Sequence, residues 1–503
     1  MSESTSRRDR LIERSDRSTL RRDASRGGAI SIASQGARFA LGIGSTAALA
    51  RLLNPEQFGI FAIATAFTMI LAKFRDAGLR MANVQANTLT HGQATGLLLI
   101  NCGLGLGLGL LTAALGPALV AAYGEPRLLP VMVVLGISFF VGSIGVQSNG
   151  ILHRGMRLGM LAGIELAALL ISITAGIVAA LLGAGVLSLA IMHLALNTSK
   201  SIGSIVLARW MPSRPAPMSQ VLPMLRFGIT LALAGAANQL GANADRALLG
   251  FFNTAATGLY NKALNLATLP LERVAPAFAE VALPALSGAA DEPSRYARTY
   301  DRLITGLTLI STPIACVLLL EADFIVLLVL GDQWSGAIPI FRWFCVGSIL
   351  LPLWNSTGWL FVSQGRGGEM LRWQAIDALA KILAAAIAVW WGAVGLAIAF
   401  SLRYVFLIPA LYAMVGRRGP VGQRFLYRHT AIVLLLALPG LAIAGGVLFA
   451  AGWFQGGYIP GVGSAIYGVV FGLTVLLQPK LRSQLVYIVE SFVPRLIEKK
   501  RRA

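Results

Sequence analysis

The residues able to do chemistry in this chain are charged groups set inside apolar runs. Arg38, Asp245, Arg246, Lys262, Glu272, Arg273, Lys381 and Arg403 all lie in stretches apolar enough to enter a bilayer, as do Glu165 and Asp377. An ionisable group at bilayer depth costs about 2.5–3.5 kcal/mol on insertion scales, so such groups face a bundle interior or a wet cavity. At about 1.5 Å of rise per residue, Arg38, Arg273, Lys381 and Arg403 fall near mid-depth and Glu272 is central. Asp245, Arg246 and Lys262 lie nearer the outer side, and Glu165 and Asp377 nearer the inner. A cavity lined this way suits an anionic ligand, because guanidinium forks match phosphate oxygens in bidentate fashion. The first eight residues are the expected substrate contacts, and Glu165 and Asp377 are the expected sites of a coupling proton or cation. The competing reading is structural: Asp377 and Lys381, at i,i+4, would neutralise each other, and Lys262, near a span end, would snorkel to the interface.

No catalytic constellation accompanies these groups. His91, His153 and His429 lie at predicted cytoplasmic boundaries and His193 stands alone in an apolar span. The sequence has no HExxH, GxSxG, Walker or cysteine-rich metal pattern. Cys102, Cys316 and Cys345 are scattered singly in apolar segments and read as small hydrophobes. An enzyme and a bound cofactor are therefore not expected, and a coupling ion, Na⁺ or H⁺, is left open.

The elements that position these groups follow from composition. The 503 residues are 56% hydrophobic and 13% charged, with mean hydropathy +0.71; a soluble chain carries about 25% charged residues. Apolar runs of spanning length recur from end to end, so the fold class is all-α, a polytopic membrane protein. The formal net charge of +20 does not indicate nucleic acid, because no aromatic-interleaved basic module accompanies it. Spans are predicted at 28–50, 57–72, 94–122, 127–152, 158–183, 185–208, 224–252, 258–285, 303–330, 338–362, 371–391, 393–415, 429–452 and 458–478, about fourteen helices. Residues 1–27 read as a disordered tail and 286–302 as an amphipathic helix or a polar connector. The run GLGLGLGL (103–110) is a helix-packing face. Pro270, Pro276 and Pro284 punctuate the eighth span, and a distorted backbone is expected around Arg273.

Loop arginines test this division. Alternate loops carry Lys73, Arg75 and Arg80; Arg154 and Arg157; Arg209, Arg214 and Arg226; Arg295, Arg298 and Arg302; Arg366 and Arg372; and Arg417, Arg418, Arg424 and Arg428. The opposite loops offer Arg51 and Arg127 and little else. The positive-inside rule then puts both termini in the cytoplasm.

The chain also matches itself at an offset of 199 residues. ARLLNPEQFGIF (50–61) aligns with LGFFNTAATGLY (249–260), bringing Asn54 to Asn253 and Gly59 to Gly258. Pro130 opens the fourth span as Pro339 opens the tenth, and IELA (164–167) meets IDAL (376–379), placing Glu165 opposite Asp377. Six spans per repeat is an even number, so the halves share orientation, as in rocking transporters with a midplane site. The expected organisation is a tail (1–27), an N-lobe (28–210), a C-lobe (211–415), two further helices (416–480) and a basic cytoplasmic tail (481–503).

Several stretches carry a resemblance. ALARLLNPEQFGIFAIA followed by FRDAGLRMANVQ resembles the opening of Wzx-type polysaccharide flippases of the multidrug/oligosaccharidyl-lipid/polysaccharide superfamily. LRFGITLALAGAANQLGANADRALLGFFNTAATGLYNKA resembles the start of that family's second lobe, and LPLERVAPAFAEVALPALS and VLLVLGDQWSGAIPIFRWFCVGS continue it, nearest the colanic-acid-exporter branch. The likeness covers residues 28–415. It implies alternating-access export of undecaprenyl-diphosphate-linked oligosaccharide, with Arg38 and Arg273 as diphosphate contacts. The implied partners are that lipid-linked substrate, membrane lipids and other polysaccharide-assembly membrane proteins. The rivals are a multidrug-type exporter, disfavoured by a cationic cavity, and a membrane polymerase or acyltransferase, disfavoured by short outer loops.

Overall fold

A computed structural model of the chain describes residues 20–85, 90–155, 157–219, 236, 239–450 and 460–486. Among these the structure is helical throughout, with short 3₁₀ turns and no strand. The helices are α1 (Leu20–Leu52), α2 (Pro55–Gln85), α3 (His91–Tyr123), α4 (Leu128–Arg154), α5 (Leu158–Leu181) and α6 (Leu187–Ala208). Residues 239–250 form α7. There follow α8 (Thr254–Thr268), α9 (Leu271–Ser287), α10 (Pro293–Leu320), α11 (Ala322–Leu330), α12 (Ile338–Ser363), α13 (Gly367–Ala388), α14 (Gly392–Gly416), α15 (Gln423–Ala450) and α16 (Val462–Leu477). A last helix, α17 (Pro479–Val486), bends away from α16 by 103°.

Among the described residues eight helical stretches are long and apolar enough to cross a membrane, or nine with the bent pair α16 and α17. One of the eight, Gly367–Gly416, is two helices, α13 and α14, joined by a 3₁₀ turn and packed together. By that measure α6 carries too many polar residues, and α8 and α9 are too short.

Three boundaries differ from the sequence reading. Helix α1 begins at Leu20 rather than Gly28. The span expected over 258–285 is broken at Leu269–Pro270 into α8 and α9. Pro270 has no N–H to donate to Leu266 and the break falls there, although α9 continues through Pro276 and Pro284. The span expected over 303–330 is broken at Glu321, and the segment 286–302, read as an amphipathic helix or a polar connector, is helical from Pro293. Residues 1–19, most of 220–238 and 487–503 lie outside the described set, and with them most of both tails and the start of the span expected over 224–252.

The chain forms two compact units. Unit 1 runs to Gly258 and includes Val329–Gln333; unit 2 holds Leu259–Leu328 and the residues from Trp334 on. In unit 1, α3 packs on α4, α4 and α5 on α6, α2 on α4, and α1 on α5. The glycine-rich run faces α4: Gly105 lies against Ser143 and Gly109 against the Gly136 backbone, where a Cβ would clash. Small residues are what let two membrane helices approach this closely. In unit 2, α12 and α13 pack on α14, α9 on α10 and α12, and α15 on α16 and α10.

Two seams repeat between the units. Gly145 of α4 rests on Ser201 of α6, whose Oγ donates to the Val141 carbonyl at 2.9 Å. Gly347 of α12 rests on Ser401 of α14, whose Oγ donates to the Trp343 carbonyl at 2.6 Å. The glycine and the acceptor are four residues apart in both. Within unit 1, Asn54 and Asn253 cap α2 and α8, accepting from Gln57 N at 2.9 Å and Ala256 N at 2.8 Å. Gly59 abuts the Thr254 carbonyl and Gly258 abuts the Pro55 carbonyl, a reciprocal contact in the 199-residue register.

The last helices are tied to both ends of α10. Asp301 binds His429 Nε2 at 3.0 Å and Lys480 Nζ at 2.7 Å. At the far end, buried Glu321 caps α16, accepting from Gly461 N at 3.1 Å, Ser464 N at 3.3 Å and Ser464 Oγ at 2.7 Å. In the turn between α3 and α4, Arg127 hydrogen-bonds Glu125 at 2.7 Å and holds its carboxyl below the usual carboxylate range.

Candidate functional site

Unit 1 contains a polar cavity of about 180 Å³ among α2, α4, α5 and α6. Arg75 comes from α2, Asn149 and His153 from α4, Glu165 from α5, and Asn197 and Lys200 from α6. Their placement follows from helix geometry: Asn197, Lys200, Ser201 and Ser204 recur at three- and four-residue spacing and share one face of α6. Glu165, its one carboxylate, forms an ion pair with Arg38 of α1. Arg38 also donates to the Ser34 carbonyl at 3.3 Å, fixing the guanidinium against its own helix. Arg75 lies over the Phe139 ring at 5.3 Å. Deeper in the same helices His193 is not alone, as its sequence context implied. Its Nδ1 lies 3.1 Å from Ser138 Oγ, and Asn197 Nδ2 donates to the same hydroxyl at 2.9 Å.

Arg75 and His153 were expected in or beside loops. Arg75 instead lies well inside α2, which continues to Gln85, and His153 lies in the last turn of α4. Lys200 was not singled out at all, although its polar face on α6 is visible in the spacing His193, Asn197, Lys200, Ser204.

Asp245 and Arg246 also belong to unit 1. Asp245 is buried and accepts from the Arg246 backbone N–H at 2.8 Å. Arg246 donates to Asn243 Oδ1 at 2.8 Å, and its Nε is buried without a partner among the described residues.

In unit 2 the charged groups fall in two places. Asp377 of α13 binds both Lys381, at 2.9 Å, and Arg403 of α14. Arg403 is 6% exposed and stacks on Tyr404 at 4.8 Å and Trp354 at 5.5 Å. In this cluster one carboxylate is shared by two cations. The second place is a cavity of about 290 Å³ beside the α8–α9 break, lined by Thr268, Glu272, Ser348, Asn355 and Tyr404 among others. Glu272 makes no ion pair with a described residue, although oxygen-bearing side chains surround it. Its neighbour Arg273 is exposed, does not line that cavity and likewise has no described ion-pair partner. Lys262 sits partly buried on α8.

The arrangement binds charge and holds no reacting constellation. Among the described residues no group of three His, Cys, Asp or Glu side chains could hold a metal ion. Known proteins carry the same architecture. The structure of the lipid II flippase MurJ in an inward closed conformation matches with TM-score 0.71 and 15% identity, over 89% of this chain and 99% of that one. An inward-facing multidrug resistance MATE family transporter of the MOP superfamily matches with TM-score 0.58 and 17% identity, over 75% and 95%. The chain shares its fold with these two transport proteins.

Among characterised relatives, lipopolysaccharide biosynthesis protein WzxC of Escherichia coli (strain K12) is 24% identical over 329 residues, covering 65% of this chain and 67% of that protein. Teichuronic acid biosynthesis protein TuaB of Bacillus subtilis (strain 168) is 26% identical over 303 residues, covering 60% and 63%. The chain thus spans about two thirds of the length of these relatives. Residues 48–339, more than half of the chain, match the family described as polysaccharide biosynthesis protein, and to that family this protein belongs.

Proposed function

We propose that the protein is a Wzx-type flippase, of the colanic-acid-exporter-like branch, that exports undecaprenyl-diphosphate-linked oligosaccharide across a bacterial inner membrane by alternating access. The observation that carries this reading is the charge balance of the unit 1 cavity. Arg75, Lys200 and His153 line it with one carboxylate, Glu165, which is already held by Arg38. An anion entering there would meet Arg75 and Lys200, and a diphosphate has the oxygen geometry that guanidinium groups bind best. Membership of a polysaccharide biosynthesis family and the flippase-like fold agree with it.

Arg38 and Arg273 are the proposed diphosphate contacts. Arg246, Lys262, Lys381 and Arg403, with Asp245 and Glu272, are further proposed substrate-facing groups. Glu165 and Asp377 are the proposed coupling acids. Both are held in ion pairs, so a proton or Na⁺ would have to compete with Arg38 for the first and with Lys381 and Arg403 for the second.

The deciding experiment deletes the gene and follows both ends of the pathway. The expected result is loss of a surface polysaccharide while its lipid-linked repeat unit accumulates inside the cell. Continued export with no internal accumulation would reject the proposal.

A further inference from the structure

A second cavity in unit 1, about 760 Å³, opens where α3 and α5 begin and α4 and α6 end. It lies outside the charged groups discussed so far. Its lining combines three nitrogen donors, His91, Arg157 and Arg209, with an apolar wall that includes Met160, Leu207 and Met211. No carboxylate is among the described lining residues, and neither arginine makes an ion pair with a described residue. We infer that this cavity binds the phosphate of an anionic membrane lipid.

Three features point there. First, the backbone positions the donors at a conformational cost. Arg209 is the one non-glycine residue at positive φ among the described residues, at 49°, a region that a Cβ disfavours. The chain turns at Arg209 and folds back onto the start of α3, where Ser213 N donates to Thr95 Oγ1 at 2.9 Å and Ala216 N to the Gly92 carbonyl at 2.9 Å. Buried Trp210 follows at once and donates Nε1 to His91 Nδ1 at 3.2 Å. That bond makes Nδ1 an acceptor, so the ring proton of neutral His91 sits on Nε2.

Second, the chemistry is that of a lipid and not of a free ion alone. Met211 is 81% exposed and Met160 43% exposed, so apolar surface adjoins the cations at the end of the helix bundle. An acyl or prenyl chain would cover it while the head group met the guanidinium forks. Basic pockets between helices at a membrane surface bind phosphate head groups in this way.

Third, the charge selects among lipids. With no described acid in the lining, a choline or ethanolamine group would have no partner, whereas a net-anionic head group would be fully matched.

The shared chemistry, a lipid-borne phosphate, has two sources: an anionic glycerophospholipid, or a polyprenyl diphosphate. The inference does not depend on which substrate is transported. Purified full-length protein in detergent, studied by native mass spectrometry, separates them. Phosphatidylglycerol, phosphatidylcholine with the same chains, undecaprenyl diphosphate and inorganic phosphate are offered in turn and in competition. At least one anionic lipid should remain bound, phosphatidylcholine should not, and inorganic phosphate at equal concentration should not displace the lipid.

Displacement of phosphatidylglycerol by undecaprenyl diphosphate would identify the polyprenyl source, and the reverse the phospholipid source; both support the site. In Arg157→Gln/Arg209→Gln, retention should fall roughly tenfold or more, the loss expected for a hydrogen bond to a charged group. Arg157→Gln alone, at a helix start without a side-chain cap, serves if the double variant folds poorly. Equal retention of the anionic lipids by wild type and either variant, or of phosphatidylcholine by wild type, would overturn the inference.

Discussion

Arg273 and Arg403 are both arginines of unit 2, and their surroundings predict opposite behaviour on removal. Arg403 is 6% exposed, paired with Asp377 and stacked on two rings. Arg403→Ala strands part of a buried charge, and breaking such a pair costs about 3–5 kcal/mol. Its expected effect is low abundance in the membrane. Arg273 is exposed and has no described ion-pair partner. Arg273→Ala should leave abundance intact, since surface changes of this kind stay within about 0.5 kcal/mol. Export per molecule should nevertheless fall, and Arg273→Lys should be less impaired because it keeps the charge and loses only the fork. Polysaccharide export normalised to protein level, with substrate binding on purified protein, checks both; normal export by a well-expressed Arg273→Ala rules out that contact.

The Arg38–Glu165 pair permits a cycle. Removing either partner leaves the other's charge in the cavity, whereas Arg38→Ala with Glu165→Gln removes both. If the pair is structural only, the double variant should regain abundance and normal export per molecule. If Arg38 also binds substrate, or Glu165 couples a proton or cation, abundance should recover and export should not; Glu165→Gln alone, which keeps Arg38, then separates the two roles.

What the sequence made legible at this scale was which charges sit inside apolar runs, not their partners. Arg38 and Glu165 are recognisable as costly charges in apolar runs, but nothing in a one-dimensional pattern joins residues on α1 and α5. Only the Asp377–Lys381 pair was readable, because four residues of separation put both on one helix face. Arg75 was lost among topogenic charges, since a cation near a span end looks the same whether it lines a cavity or meets water, and Lys200 was not singled out.

At the scale of elements, the closest approach lies between α2 and the start of α8. Gly59 and Gly258 each meet the other helix's carbonyl with no room for a Cβ. Gly258→Leu should therefore prevent this packing, with a cost above the 1–3 kcal/mol typical of overpacking, because the obstacle is backbone and cannot rotate away. The control is Gly107→Leu, where a Cβ meets open space and lipid tolerates the change. Membrane abundance and thermal aggregation of the purified variants measure the difference, and equal behaviour of the two would contradict the packing account. The 199-residue offset exposed this contact as a pair of matched glycines without saying what they touched. The breaks at Pro270 and Glu321 divide differently. Proline announces the first, whereas the second follows from a carboxylate that leaves its own helix to cap α16, a tertiary bond with no local signature.

For the whole molecule, the remaining test is orientation. Loop arginines predict both termini and the 363–372 loop in the cytoplasm, and the repeat predicts the Asn54 and Asn253 turns together on the outer side. Within unit 1 the second half of that statement has a physical basis. Both asparagines cap helices whose first turns touch at Gly59 and Gly258, so one turn cannot face the opposite side from the other without breaking the contact. Single cysteines introduced at Asn54, Asn253 and Gly368, in a background with Cys102, Cys316 and Cys345 replaced by alanine, report the sides directly. An impermeant thiol reagent added to intact cells lacking an outer barrier should label positions 54 and 253 and spare 368. Permeabilised cells should label all three. The same pattern with both turns protected and 368 labelled would invert the topology and place the cavity of His91, Arg157 and Arg209 in the outer leaflet. Labelling of only one of the two turns would instead break the repeat itself, because two segments that share a contact would then lie on opposite faces of the membrane.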